Sequence, residues 1–204
     1  MAKRISLNDT KLEKICAKID LPELKQTNDI YIDMLEIIIS QQLAGNVARV
    51  IFNRFLDAFK DRYPKPEELL ATDDNALRAV GLSNSKTKYV KNLADFATKN
   101  NLSINCISRM SDDEIISFLT QIKGIGKWSV EMLLIFSLQR PDVFPYDDLV
   151  IKKSMVEIYS IKEEGKALIE KMNMIADKWK PNRTLATRYL WAYYGLKASK
   201  SKKK

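Results

Sequence analysis

Apolar residues recur along this chain at intervals of three and four rather than two, the spacing that lines one face of a helix, and this predicts an all-α protein. One such stretch runs from Lys11 to Ile19 and stops at Leu21-Pro22. A longer one opens near Asp29 with Ile30, Met34, Leu35, Ile37 and Ile38 inward, and Ser40-Gln41-Gln42 interrupts its apolar face. Helical spacing resumes from Val47 to Phe59 and ends before Tyr63-Pro64-Lys65-Pro66, where proline geometry forces a turn. Pro66 to Leu70 and Asp73 to Val80 read as short helices, and Lys86 to Lys99 as a longer one. Ser111-Asp112-Asp113-Glu114 has the form of a capping box, which starts the next helix at Asp112 and lets it run to about Ile122. Beyond a break at Gly124-Ile125-Gly126, the spacing predicts helices carrying Trp128 to Phe136, then from Asp147-Asp148 to Tyr159, Glu163 to Lys178 and Arg183 to Tyr194. The pattern holds about ten helices.

Composition supports a folded core: of 204 residues, 46% are hydrophobic and 29% charged, enough for one domain or two small lobes. The formal net charge of +8 points to polyanions, but five lysines lie among the last eight residues, Lys197 to Lys204. That tail, 197–204, reads either as a loose phosphate contact or as a disordered, solvated end.

The absence of histidine excludes His-based acid–base catalysis and His-ligated zinc, so any catalyst must use carboxylate, Lys, Tyr or water. Cys16 and Cys106 are too few and too far apart for a disulfide framework or a cysteine-bound metal. No apolar run of about 18 residues occurs, so a soluble, intracellular protein with no membrane association is expected.

Two of the six glycines stand one residue apart in Lys123-Gly124-Ile125-Gly126-Lys127. Backbone amides in such a turn, with the start of the next helix behind them, suit a phosphate oxygen, and Lys123 and Lys127 flank it. Taken alone, the pattern also fits a tight helix connection in which glycine serves only sterics.

Ile122-Lys123-Gly124-Ile125-Gly126-Lys127-Trp128-Ser129-Val130-Glu131-Met132, followed by Arg140-Pro141-Asp142-Val143-Phe144-Pro145-Tyr146-Asp147-Asp148-Leu149-Val150-Ile151-Lys152, resembles helix-hairpin-helix DNA glycosylases of the DNA-3-methyladenine glycosylase II type. Further matching stretches are Ile37 to Leu43, Pro66 to Leu70 through Gly81-Leu82-Ser83, and Trp179-Lys180-Pro181 with Trp191 beyond. The resemblance covers roughly residues 30 to 195. It implies two helical lobes with a DNA-binding cleft between them, forming one domain over 1–196 with the hairpin at 119–128.

The resemblance further implies a monofunctional enzyme of base excision repair, a monomer acting on double-stranded DNA that carries damaged bases. It would flip out alkylated purines of the 3-methyladenine and 7-methylguanine class and hydrolyse their glycosidic bond. Asp148 takes the place of the catalytic aspartate, with Asp147 the neighbour to be told apart from it; from the residues alone, Asp148 is equally a helix cap. Trp128 stands where related lyases carry a Schiff-base lysine, which argues against strand cleavage. Trp128 and Trp191 match aromatic pocket positions, Met132 falls where a tyrosine can stand, and Tyr31 or Tyr146 could complete the pocket. DNA contacts fall on Lys123, Gly124, Ile125, Gly126 and Lys127 of the hairpin and on Gln41 and Gln42 of the matching wedge loop, with Gln42 the residue to insert.

No catalytic metal or cofactor is implied, only a sodium or potassium ion at the carbonyls of Thr120, Ile122 and Ile125. Two cysteines cannot hold the iron–sulfur cluster of some larger relatives, and no β-rich segment precedes the helices. A bacterial cytoplasm, or a nucleus in a eukaryote, is the expected compartment. The hairpin and tail alone would equally serve a non-enzymatic DNA-binding module, and the helices alone a protein-interaction domain.

Overall fold

The computed structural model describes residues 7–24 and 28–201, with side chains through 198. They form twelve α-helices and three short turns of 3-10 or π helix, with no β-strand among the described residues. The chain divides into two compact units, Met1–Leu24 with Gln139–Lys204, and Lys25–Leu138.

The first unit holds α1 (Thr10–Cys16), α10 (Leu149–Tyr159), α11 (Gly165–Ala176) and α12 (Arg183–Ser201). Its core gathers Leu7, Leu12, Phe144, Ile151, Met155, Met172, Trp179 and Leu190. Trp179 is fully buried and meets Phe144 edge-on at 5.7 Å, so it is packing. Helix α1 is shorter than the apolar spacing predicts, because after Cys16 the chain tightens into turns in which the Lys18 amide donates to the Ile15 carbonyl and Ile19 to Cys16. Helix α11 is shorter too, and passes through a 3-10 turn at Asp177–Trp179. Helix α12 instead outruns the sequence reading: 197–201, expected as disordered tail, continues the helix, in keeping with Ala198 and the lysines being good helix formers. Residues 202–204 of that tail lie outside the described residues.

A buried polar knot closes this unit. Asp9 caps α1 by accepting the amides of Lys11 and Leu12, both at 3.1 Å, and its other oxygen accepts Tyr159 Oη at 2.7 Å and Trp179 Nε1 at 3.1 Å. Burial alone would raise this carboxyl, but the Tyr159, Leu12, Trp179 and Lys11 donors outweigh it and hold its pKa below the usual value of 3.8. The folded form therefore gains stability above pH 3.8 and loses it as pH falls through the depressed value. Asp9→Ala is expected to cost roughly 2–4 kcal/mol by losing the cap and stranding the buried Trp179 donor and the half-buried Tyr159 hydroxyl, read as a lower Tm at pH 7 whose gap from wild type narrows below pH 4. An unchanged Tm would contradict the role given to Asp9.

The second unit carries α2 (Ile30–Ser40), α3 (Gly45–Asp57), α4 (Pro66–Ala71), α5 (Asp74–Ala79), α6 (Asn84–Lys99), α7 (Ile104–Ile107), α8 (Asp112–Leu119) and α9 (Lys127–Met132). Helix α2 packs against α3, α6 and α9, and buries Ile30, Met34, Leu35, Ile38 and Ile39 completely. Side-chain caps fix half of these starts: Asp29 caps α2, Asp73 caps α5, Ser83 caps α6, and Ser111 with Glu114 forms the capping box of α8 in both directions. Helix α9 passes directly into a π-helical turn, Leu133–Ser137, closed by the Leu138 amide on the Leu133 carbonyl at 3.0 Å.

Candidate active site

Asp148 sits half-buried at the N-cap of α10. Its Oδ1 accepts three hydrogen bonds, from the Val150 amide at 2.8 Å, the Ile151 amide at 2.9 Å and Trp191 Nε1 at 3.1 Å. Two donors come from the N-terminal end of α10 and the third from α12, so the carboxylate is fixed in rotation. Asp147, the alternative by sequence, is exposed and pairs with Lys152 at 3.0 Å.

The loop that delivers Asp148 is clamped to the first turns of α12. Arg183 grips both oxygens of Asp142 at 2.8 Å, and the Thr184 hydroxyl donates to the Arg140 carbonyl at 2.6 Å while accepting the Val143 amide at 2.9 Å. Thr187 adds a bond to the Val143 carbonyl at 3.3 Å. Burial tends to raise the Asp142 carboxyl, but the Arg183 bonds and charge win and hold it low. Because α12 carries both the clamp and Trp191, one helix sets the position of Asp148 from two sides. Sequence reasoning missed this clamp, whose residues lie about 40 positions apart and match no local pattern. Tyr146 lies in the same loop, half-buried against this unit's core.

In the second unit, the glycines of the hairpin turn out to do different things. Gly124 has φ +104°, and a Cβ there would stand 2.2 Å from the ring of Tyr89, so only glycine fits. Gly126 has φ −98°, and a Cβ there would meet nothing within 4 Å. It is the exposed N-cap of α9, which no side chain caps. Ile125 is buried and its amide closes the turn on the Ile122 carbonyl at 3.0 Å, so neither its side chain nor its amide faces a ligand. Lys123 and Lys127 are exposed, with Lys127 3.6 Å from the carboxylate of Glu131.

The loop after α2 is tied to this hairpin by Gln41, whose Nε2 donates to the Gly124 carbonyl at 3.1 Å and lies 3.0 Å from Ser129 Oγ, so its side chain braces the two together. Gln42, next to it, is exposed with φ +58°, a conformation that costs a residue with a side chain about 1–2 kcal/mol.

A cavity of about 420 Å³ opens beside the hairpin helix, lined by Trp128, Met132, Phe136 and Ser137 on one side and by Asp33, Glu36, Ile37 and Ser40 of α2 on the other. Trp128 and Met132 are thus brought together as expected. Ile37, expected inward, faces this cavity instead. Tyr31 does not join it: two residues before Asp33 on α2, it points some 200° away. Its ring is buried and its hydroxyl donates to the Pro64 carbonyl at 3.0 Å, with burial raising its pKa.

Residues 35–181 match the model of the HhH-GPD superfamily of base excision DNA repair proteins. The chain belongs to that superfamily. It is 41% identical over 165 residues to DNA-3-methyladenine glycosylase 1 of Schizosaccharomyces pombe, covering 79% of this chain and 71% of that protein. It is 31% identical to the alkylbase DNA glycosidase-like protein mag2 of the same yeast, covering 79% and 76%. Among solved structures, the S. pombe 3-methyladenine DNA glycosylase Mag1 in complex with abasic DNA superposes with a TM-score of 0.78 at 35% identity, over 90% of this chain and 89% of that one. A DNA-3-methyladenine glycosidase from Bacillus halodurans superposes with a TM-score of 0.75 at 27% identity, over 94% and 87%.

The HhH-GPD match takes in the hairpin, the cavity residues from Glu36 onward and Asp148, and stops short of Trp191. The HhH-GPD membership and the all-α architecture agree with the sequence reading. No described helix is long and apolar enough to cross a membrane.

Proposed function

We propose that this chain is a monofunctional DNA glycosylase that hydrolyses the N-glycosidic bond of alkylated purines in duplex DNA, with Asp148 as its catalytic carboxylate. The observation that carries this reading is the triple anchoring of Asp148 Oδ1 by two helix-end amides and Trp191. A carboxylate so fixed needs no reorganisation as charge develops near it.

In the reaction, the C1′–N bond breaks and its electron pair leaves with the base, which an alkylated purine accepts readily because it already carries positive charge. The sugar takes up positive charge, which Asp148 stabilises. Water adds to C1′ and gives up its proton to the carboxylate or to solvent, leaving an abasic site. Trp128 holds the lysine position of related lyases and supplies no amine, while Lys127 turns about 100° away on the same helix. The cavity beside Trp128 receives the flipped base, and Trp191 acts by holding Asp148.

The exposed backbone around Gly126, with Lys123, grips phosphate, and Gln42, already held at positive φ, fills the gap left by the flipped nucleotide. The carbonyls of Thr120, Ile122 and Ile125 are neutral oxygen donors suited to sodium or potassium, and the Ile122 oxygen keeps a second lone pair beyond the Ile125 amide. The partner is double-stranded DNA carrying damaged bases, met by a monomer, in whichever compartment holds the genome.

Incubation with methylated duplex is expected to release free 3-methyladenine or 7-methylguanine and to leave strands that break only after alkali. Borohydride is expected to trap no protein–DNA adduct. Strand cleavage without alkali, or a trapped adduct, would contradict the monofunctional assignment.

A further inference from the structure

The cavity beside Trp128 has an acidic wall that the chemistry at Asp148 does not use. Asp33 and Glu36 stand one turn apart on α2, on the same side as Ile37 and Ser40, opposite the aromatic and thioether surfaces of Trp128, Phe136 and Met132. Glu36 is exposed as a whole residue, yet desolvation of its carboxyl, and then the charge of Asp33, push its pKa above the usual value. Two neighbouring carboxylates that repel one another gain when a cation enters beside them, and by reciprocity the cation is bound more tightly. An indole face attracts positive charge in the same way. A neutral base entering this cavity gains stacking and can donate an N–H to a carboxylate, but it brings no net charge to offset the two acids.

We propose that Asp33 and Glu36 make this cavity selective for purines that carry a positive charge, so that N3- and N7-alkylated bases are taken in preference to neutral lesions such as hypoxanthine. The inference rests on the reading of the chain as an alkylpurine glycosylase and supplies the substrate ranking that residue types alone do not. Asp33 lies in the first turn of α2 and Glu36 one turn further along. Replacing either acid by its amide keeps the shape of the wall and removes one charge.

The test is single-turnover release of 7-methylguanine and of hypoxanthine from duplexes otherwise identical in sequence, by wild type, Glu36→Gln and Asp33→Asn. A change in affinity for the DNA as a whole cancels in the ratio of the two rates. That ratio is expected to fall about tenfold for each charge removed, the size of a partly screened ion contact. Glu170→Gln, a charge change on the exposed face of α11, is expected to leave the ratio unaltered. An unchanged ratio in Glu36→Gln and Asp33→Asn overturns the proposal while leaving the glycosylase reading standing.

If wild type releases no base, the glycosylase reading fails and the cavity is tested directly by tryptophan fluorescence. The probes are 3,9-dimethyladeninium, permanently cationic, and neutral 9-methyladenine. Preference for the cation that drops about tenfold in Glu36→Gln supports the acidic wall. No preference, or one that Glu36→Gln leaves intact, overturns it.

Discussion

Asp148→Asn is expected to lower base release by about a hundred- to a thousandfold, the loss typical of removing one preorganised electrostatic contact to a developing charge. Asparagine keeps an acceptor at Oδ1, so the Val150 and Ile151 amides and Trp191 Nε1 retain their partner. The cap survives and the charge does not, which separates the two roles the sequence left entangled. Tm should move by no more than about 2–4 °C, the equivalent of 1 kcal/mol in a chain of this size. Asp148→Ala removes both, and is expected to add a stability loss of about 1 kcal/mol to the same loss of rate. Full activity in Asp148→Asn, with the fold intact, would reduce Asp148 to a cap.

The second large effect is on the hairpin, where Gly124→Ala and Gly126→Ala should behave in opposite ways. At Gly124 the added methyl meets the Tyr89 ring at 2.2 Å and the backbone is held at φ +104°. Strain and overpacking together are expected to cost roughly 2–5 kcal/mol. Since the Gly124 carbonyl also receives Gln41, the loop bearing Gln42 should loosen with it. At Gly126 the methyl meets nothing, so stability should stay within about 0.5 kcal/mol of wild type. Affinity for duplex DNA should nevertheless fall if, as proposed, the backbone around Gly126 is what phosphate meets. Thermal unfolding and duplex binding measured side by side read both effects. Equal destabilisation by the two substitutions, or undiminished binding by Gly126→Ala, would contradict this division of labour.

These two residues also show how far sequence carries. A glycine pair in a helix connection marks the turn, but which glycine is sterically required depends on Tyr89, 35 residues earlier on another helix. The capping residues were legible because a cap and its amides lie within three positions: Asp29, Ser111 with Glu114, and Asp148 all start helices as their spacing indicates. Helix α7 escaped notice because four residues, Ile104–Ile107, are too few to show a period. The acidic wall escaped for a different reason. Two acids at helical spacing carry no local sign of a cavity, and only the packing of α9 and the π-helical turn against α2 makes Asp33 and Glu36 the side of one. Tyr31 was misplaced by the same shortfall, since an aromatic near the start of α2 carries no sign of which neighbour its hydroxyl will find. Gln41 and Gln42 stand side by side in the loop for which the resemblance names Gln42 the inserted residue, and only the structure shows the bonds of Gln41 to Gly124 and Ser129.

The most direct measurement is free-base release from duplex DNA methylated with dimethyl sulfate, with purified wild-type chain in excess over lesions and released purines resolved by chromatography. Release of 3-methyladenine and 7-methylguanine well above the spontaneous rate, with the strand left intact until alkali, is the predicted result. Tight duplex binding with no release above the spontaneous rate would contradict it and leave a hairpin protein that grips DNA without excising bases.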